Sequence, residues 1–70
     1  MINSILKFHS DLEKGQQVKI IAVDDYTTYI NRTDLLKKET DNIVWVLRAN
    51  GGKIAINTDY IISCCTIERL

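Results

Sequence analysis

The apolar residues of this chain change their spacing at Gly15, and that change restricts the fold more than any other feature of the sequence. Before Gly15, apolar residues recur at intervals of three and four, as Met1, Ile5, Phe8 and Leu12. This spacing places them on one face of a helix. After Gly15, apolar and polar residues alternate at intervals of two, which is typical of strands. The sequence therefore predicts one helix over residues 3–14, followed by strands.

The segment after Gly15 divides into five predicted strands. Their bounds are about 17–24, 26–31, 43–49, 53–57 and 60–67. We expect Asn3 to cap the helix and Gly15 to stop it. Asn50 and Gly51 predict a two-residue hairpin in which both residues take a positive φ. Residues 31–42 form a polar interruption, for which we predict either a single helical turn beginning at Thr33 or an irregular loop.

Length and charge limit the classes of protein to consider. Seventy residues predict one small domain over residues 1–70, and nine basic residues balance nine acidic ones. Proteins that bind phosphate backbones usually carry a basic excess, so the balance favours a protein partner, with RNA possible. No apolar run reaches the roughly 18 residues that a membrane span needs. Lys7, His9 and Asp11 also make the N-terminus a poor secretory signal, so we expect a cytoplasmic protein without membrane contact.

Residues that carry chemistry are few. His9 is the single histidine, and it lies on or beside the apolar face of the predicted helix. Cys64 and Cys65 are neighbours whose side chains would point to opposite faces of a strand, so a bridge between them would be strained. We expect two reduced thiols, no metal, no cofactor and no catalysis. A small thiol-dependent enzyme that uses Cys64 or Cys65 with His9 is the least favoured alternative.

Binding residues are easier to nominate, because aromatic and basic side chains occur together. The candidates are Tyr26, Tyr29, Arg32, Lys37, Lys38 and Tyr60. Such side chains stack on bases, hold phosphates or anchor protein interfaces. Trp45 alternates in phase with Ile43 and Leu47, so we expect it in the core. Tyr26 and Tyr29 fall on opposite faces of their strand, so at most one is expected to be exposed.

The last strand is the expected interface with another chain. Its candidate residues are Ile61, Ile62, Cys64 and Ile67. A small open barrel leaves backbone groups unpaired along its edges, and a second chain can extend such an edge. A protein partner or a homo-oligomer would use the strand in this way.

Two family resemblances rest on the C-terminal third. Residues 56–62 resemble the second motif of Sm-like proteins, with Asn57 and Thr58 where that family has Arg and Gly. Asp25 and Asn31 resemble the Asp and Asn of the first Sm motif, at a wider spacing. Residues 54–62 are also similar to the closing pattern of Rho-binding antiterminator proteins, which inhibit a transcription terminator. The resemblance implies a mainly β fold with an N-terminal helix and a small five-stranded antiparallel Sm-like (SH3-like) barrel.

These observations favour a small regulatory binding protein that engages a larger protein and modulates a nucleic-acid process such as transcription. The alternative is an Sm-like RNA-binding homo-oligomer. Because one fold serves many functions, the resemblance alone does not choose between them.

Overall fold

The computed structural model describes residues 1–69, which form one N-terminal helix and six strands. The elements are α1 Ile2–Ser10, β1 Gln16–Ala22, β2 Thr27–Asn31, β3 Leu35–Lys38, β4 Ile43–Leu47, β5 Lys53–Asn57 and β6 Ile61–Glu68. Two 3₁₀ turns, Val23–Asp25 and Thr58–Tyr60, precede β2 and β6. The predicted mainly β chain with an N-terminal helix is confirmed, whereas the predicted count of five strands is wrong.

The strands form two antiparallel sheets of three strands each. The order is β2-β1-β6 in the first sheet and β3-β4-β5 in the second. Within residues 1–69 no strand ladder joins the two sheets, so the predicted barrel is not closed. The chain turns at residues 32–34, between β2 and β3, and this turn interrupts the continuous bent strand that would belong to both sheets of a barrel.

The sixth strand is β3, which lies where the sequence predicts a helical turn or a loop. Its residues pair with β4, Leu36 opposite Val46 and Lys37 opposite Trp45. Leucine and lysine favour helices when isolated, so local preference alone indicates the wrong element. Pairing with β4 outweighs that preference, because strand preference depends mainly on cross-strand packing and burial.

The core lies between the two sheets. Val18 and Ile20 of β1, Ile30 of β2, and Val44 and Val46 of β4 are each at most 2% exposed. They alternate with more accessible residues, so each strand turns one side inward. Burying a side chain of this size contributes about 1.5–3 kcal/mol, so these residues are a main source of stability.

Helix α1 belongs to this core. It packs mainly against β1 and β6 and buries Ile2 and Ile5. His9 donates a hydrogen bond from Nε2 to the carbonyl oxygen of Asn31, at 3.1 Å, which fixes the helix against the end of β2. The helix therefore contributes packing as well as local structure.

The predicted bounds of the helix are wrong at both ends. Met1, not Asn3, occupies the N-cap position, and the helix ends at Ser10 rather than near Gly15. It ends early because Leu12 turns back into the core, with its N–H donating to the carbonyl of His9 at 3.2 Å. Met1 and Phe8 remain exposed, so the buried face is narrower than the sequence pattern predicts.

The predicted hairpin at Asn50-Gly51 is present, but its geometry differs. The N–H of Gly51 donates to the carbonyl of Arg48 at 3.0 Å, and Arg48 N–H donates to Gly52 at 2.7 Å. Gly51 has a φ of 95°, whereas Asn50 is not among the positive-φ residues of the described chain. The residues between β4 and β5 outnumber a two-residue loop, and longer loops use one left-handed glycine after an ordinary turn.

Candidate functional site

An apolar groove opens between the two sheets, with a volume of about 310 Å³. We call it the inter-sheet groove. Its inner wall consists of Ile20 from β1 with Ile54 and Ile56 from β5. Tyr26 and Tyr60 line its entrance and are 67% and 57% exposed. The groove therefore joins core side chains to the surface.

Two 3₁₀ turns hold the tyrosines at this entrance. Tyr26 follows the turn Val23–Asp25, and its carbonyl accepts a hydrogen bond from Ala22 N–H at 2.7 Å. Asp24 and Asp25 in that turn have φ values of 62° and 59°, a left-handed conformation that is uncommon for residues other than glycine. The turn thus fixes the backbone next to Tyr26, which lines the groove.

The second turn is fixed by hydrogen bonds from polar side chains. Asn57 Oδ1 accepts from the N–H of Asp59 at 2.9 Å, and Asn42 donates from Nδ2 to the Asp59 carboxylate at 2.9 Å. The N–H of Thr58 donates to the carbonyl of Asn42 at 2.8 Å. These bonds fix the turn that carries Tyr60, which lines the same groove as Tyr26.

Acidic side chains are adjacent in sequence to both tyrosines. Asp24 and Asp25 precede Tyr26, and Asp59 precedes Tyr60. Within residues 1–69, none of the three carboxylates forms an ion pair. Three carboxylates that form no ion pair thus lie next in sequence to the two tyrosines, and a cationic partner would complement them.

Strand β5 adds a backbone edge beside the groove. It pairs with β4 along one side, and no strand among residues 1–69 pairs with its other side. Ile54 and Ile56 face the groove from this strand. An extended peptide in the groove would therefore lie beside backbone groups that can add it to the sheet.

The other candidate residues lie elsewhere. Tyr29 is 42% exposed on the outer face of the first sheet, opposite Lys19. Because Tyr26 is exposed too, the expectation that at most one of this pair is exposed is wrong: Tyr26 belongs to the turn, outside the strand alternation. Arg32 lies at the opposite end of that sheet, in a shallow depression with Lys14 and Arg69.

Lys37 and Lys38 line a third depression. The most prominent residue of this depression was not among the binding residues that the sequence predicted. Trp45 is half-buried on the outer face of the second sheet, whereas Val44 and Val46 turn inward. The expectation that Trp45 belongs to the core is therefore wrong by one residue of register. The lysine of β5, Lys53, lies over its ring, with Nζ 5.7 Å from the ring centroid. Because every residue of β4 is apolar, no sequence signal distinguished an outward Trp45 from a buried one.

Strand β6 pairs with β1 along one edge, and no strand of residues 1–69 lies along the other. Ile61 and Cys64 pack against the core, Ile67 is half-buried and Ile62 is 64% exposed. The edge is thus available, although two of the four predicted interface side chains point inward. That β6 binds another chain stays a prediction.

The two cysteines are free, with Cys64 half-buried and Cys65 exposed. Burial raises the pKa of the Cys64 thiol above its ordinary value, and the neighbouring Cys65 raises it further. A raised pKa lowers the thiolate fraction at neutral pH, so Cys64 is a poor nucleophile there. His9, the proposed base, uses Nε2 for its bond to Asn31. The geometry therefore gives no support to the thiol-enzyme alternative.

Residues 1–69 contain no helix that is long and apolar enough to span a membrane. They also bring together no cluster of three or more His, Cys, Asp and Glu side chains suited to a metal ion.

Comparisons of the chain with protein-family models, with curated proteins and with solved structures gave no match.

Proposed function

We propose that this protein is a small regulatory module that binds an extended segment of a larger protein in the inter-sheet groove. By doing so it modulates a nucleic-acid process such as transcription. The observation that carries the proposal is the open apolar groove between the sheets, with Tyr26 and Tyr60 exposed at its entrance.

The size and lining of the groove suit an apolar side chain of a partner. Its volume of about 310 Å³ is at the lower end of the range of ligand pockets, which is roughly 300–1,000 Å³. The wall of Ile20, Ile54 and Ile56 offers only apolar contacts, so burial there would drive binding. Tyrosine is enriched among residues that dominate protein interfaces, because its large ring is buried while its hydroxyl stays hydrated.

The backbone and charge around the groove define the partner further. The free edge of β5 can pair with an extended segment and add hydrogen bonds that do not depend on its sequence. Asp24, Asp25 and Asp59 favour a segment that carries Lys or Arg next to its apolar residue. The expected partner is therefore an extended, basic segment with an apolar anchor.

Two observations favour transcription as the process. Residues 54–62 are similar to the closing pattern of Rho-binding antiterminators, and this stretch contains Ile54, Ile56 and Tyr60 of the groove. The balanced charge of the chain also suits a protein that acts through a protein partner.

A random peptide library selected against the purified protein tests the proposal. Enriched peptides should combine an apolar or aromatic residue with Lys or Arg. The double variant Tyr26→Ala/Tyr60→Ala should bind them at least about tenfold more weakly, because the loss of interface anchors costs more than about 1.4 kcal/mol. Fluorescence polarisation with labelled peptides measures the affinities.

Tyr29→Ala is the matched control, because Tyr29 is also an exposed tyrosine but lies outside the groove. Its affinity should stay within about twofold of the original. Equal losses in the control and in the double variant, or selected peptides that lack basic residues, would contradict the proposal.

A further inference from the structure

We propose that the outer face of the second sheet binds single-stranded nucleic acid, with a base stacked on Trp45 and phosphates held by Lys37 and Lys53. We call this surface the Trp45 face. It is independent of the groove, since it uses the opposite side of the β3-β4-β5 sheet.

The strand register places the three residues together. Trp45 on β4 lies between Lys37 on β3 and Ala55 on β5. Lys53 pairs with Leu47, the next outward residue of β4, and its Nζ lies 5.7 Å from the Trp45 ring centroid. Because Ala55, directly opposite on β5, has only a methyl group, Lys53 is the β5 side chain that lies over the indole. The indole ring is thus flanked by two cationic lysine side chains.

The surroundings of Trp45 form a partly exposed apolar surface. Leu35 is 66% exposed, and Ile43 and Leu47 are half-buried on the same face. Helix α1 packs mainly on β1 and β6, which belong to the other sheet. A depression of about 450 Å³ lies between Lys37, Trp45 and Lys53. This space can accept a planar group against the indole.

The charge of the Trp45 face indicates which kind of ligand binds there. Lys37 and Lys53 form no ion pair with residues 1–69, whereas Lys38 pairs with Asp41 at 3.3 Å. Glu39 also borders the depression, which leaves a net positive surface. A second copy packed face to face would bring lysines against lysines, which is unfavourable. A polyanion with planar groups satisfies both the lysines and the indole, and single-stranded nucleic acid is such a ligand.

The expected binding is modest and sensitive to salt. Two neutralised phosphates on a single strand give a slope of about −1.4 in log affinity against log salt, or about a sevenfold loss between roughly 50 and 200 mM. Loss of one stacked base costs roughly five- to 150-fold. The salt dependence and the affinity lost with the stacked base distinguish stacking with phosphate contact from nonspecific apolar association.

Trp45 is the single tryptophan of the chain, so its fluorescence reports on this face alone. The experiment titrates the protein with short oligo(U), oligo(dT) and a duplex of equal length, at low and high salt. We expect saturable quenching by both single strands, weakened by salt, and little quenching by the duplex. Stronger binding of oligo(U) than of oligo(dT) identifies RNA as the ligand, and the reverse identifies DNA. Either result supports the proposal.

Variants test which residues act. Lys37→Glu/Lys53→Glu should abolish quenching, whereas Lys19→Glu, a lysine beside Tyr29 on the other sheet, should change affinity less than about threefold. Trp45→Leu keeps an apolar side chain, and a labelled oligonucleotide should bind it at least about fivefold more weakly. Circular dichroism confirms that each variant is folded.

Three outcomes would overturn the proposal: no quenching by single strands, quenching that salt does not weaken, or equal quenching by an oligo-glutamate peptide. The Tyr26→Ala/Tyr60→Ala variant should retain full oligonucleotide binding. Failure of the peptide selection with intact quenching rejects the groove proposal alone, and the converse rejects this one alone.

Discussion

Asp34 shows how one polar residue connects the two sheets. It is 2% exposed, and its Oδ2 accepts from Arg48 Nη1 at 2.6 Å and from the N–H of Asn31 at 2.8 Å. Arg48 Nη1 also donates to the carbonyl of Tyr29 at 2.7 Å. Asn31 ends β2, and Arg48 follows β4, so this network holds the turn between the sheets. A buried carboxylate is tolerated here because it is paired and hydrogen-bonded.

We expect Asp34→Ala to destabilise the protein by about 3 kcal/mol, because it leaves the partly buried Arg48 charge and the Asn31 N–H without their partner. Urea unfolding followed by circular dichroism measures the loss. Asp41→Ala is the control: it breaks the exposed Lys38–Asp41 pair and should leave the unfolding midpoint unchanged. A loss of stability in Asp34→Ala no larger than that in the control would show that the Asp34 network is not stabilising.

At the scale of elements, α1 and β3 are held by tertiary contacts. A helix of nine residues is too short to be stable alone, so α1 depends on burying Ile2 and Ile5. Strand β3 depends on β4, since Leu35 and Leu36 have no intrinsic preference for a strand. In both elements, tertiary packing determines the local structure.

Replacing Ile5 by alanine tests whether α1 is part of the core or a free interface element. Ile5 is fully buried against the core cluster, so Ile5→Ala should cost about 2–5 kcal/mol in the free energy of unfolding. Phe8→Ala removes a larger side chain that is 38% exposed on the same helix, and it should cost less. Thermal unfolding of both variants provides the measurement, and a larger loss for Phe8→Ala would argue that α1 packs differently.

At the scale of the molecule, β5 serves two surfaces. Ile54 and Ile56 face the groove, Lys53 lies over the Trp45 ring, and Ala55, opposite Trp45, also borders the groove. This division follows from the alternation of side chains along a strand. One strand can thus contribute to a protein site and to a nucleic-acid site, with Ala55 as the residue of β5 that borders both.

The molar mass in solution distinguishes the proposed regulatory module from an Sm-like ring. We expect one or two chains per particle by size exclusion with light scattering, because the proposed function needs the groove and the β5 edge to be free. A closed ring of about five to seven subunits would instead favour the RNA-binding homo-oligomer. Repeating the measurement across protein concentrations separates a stable ring from weak association.

Local patterns in the sequence determined much of the fold. The change of apolar spacing at Gly15 correctly predicted one helix followed by strands, and the predicted strand over residues 53–57 has the observed bounds, Lys53–Asn57. The Asn50-Gly51 pair located the hairpin, and the two tyrosines of the groove were among the predicted binding residues. These features follow from alternation, turn preference and side-chain type, which a sequence displays directly.

Only the tertiary structure decided the rest. Residues 35–38 became a strand through pairing with β4, and Trp45 faced outward because Val44 and Val46 occupy the core. In a strand with apolar residues on both faces, alternation cannot tell which face is buried. Tyr26 and Tyr60 line the same groove because β2 and β6, the strands that they precede, both pair with β1, although they are distant in sequence. Such long-range packing sets which surface side chains meet, and composition and spacing do not determine it.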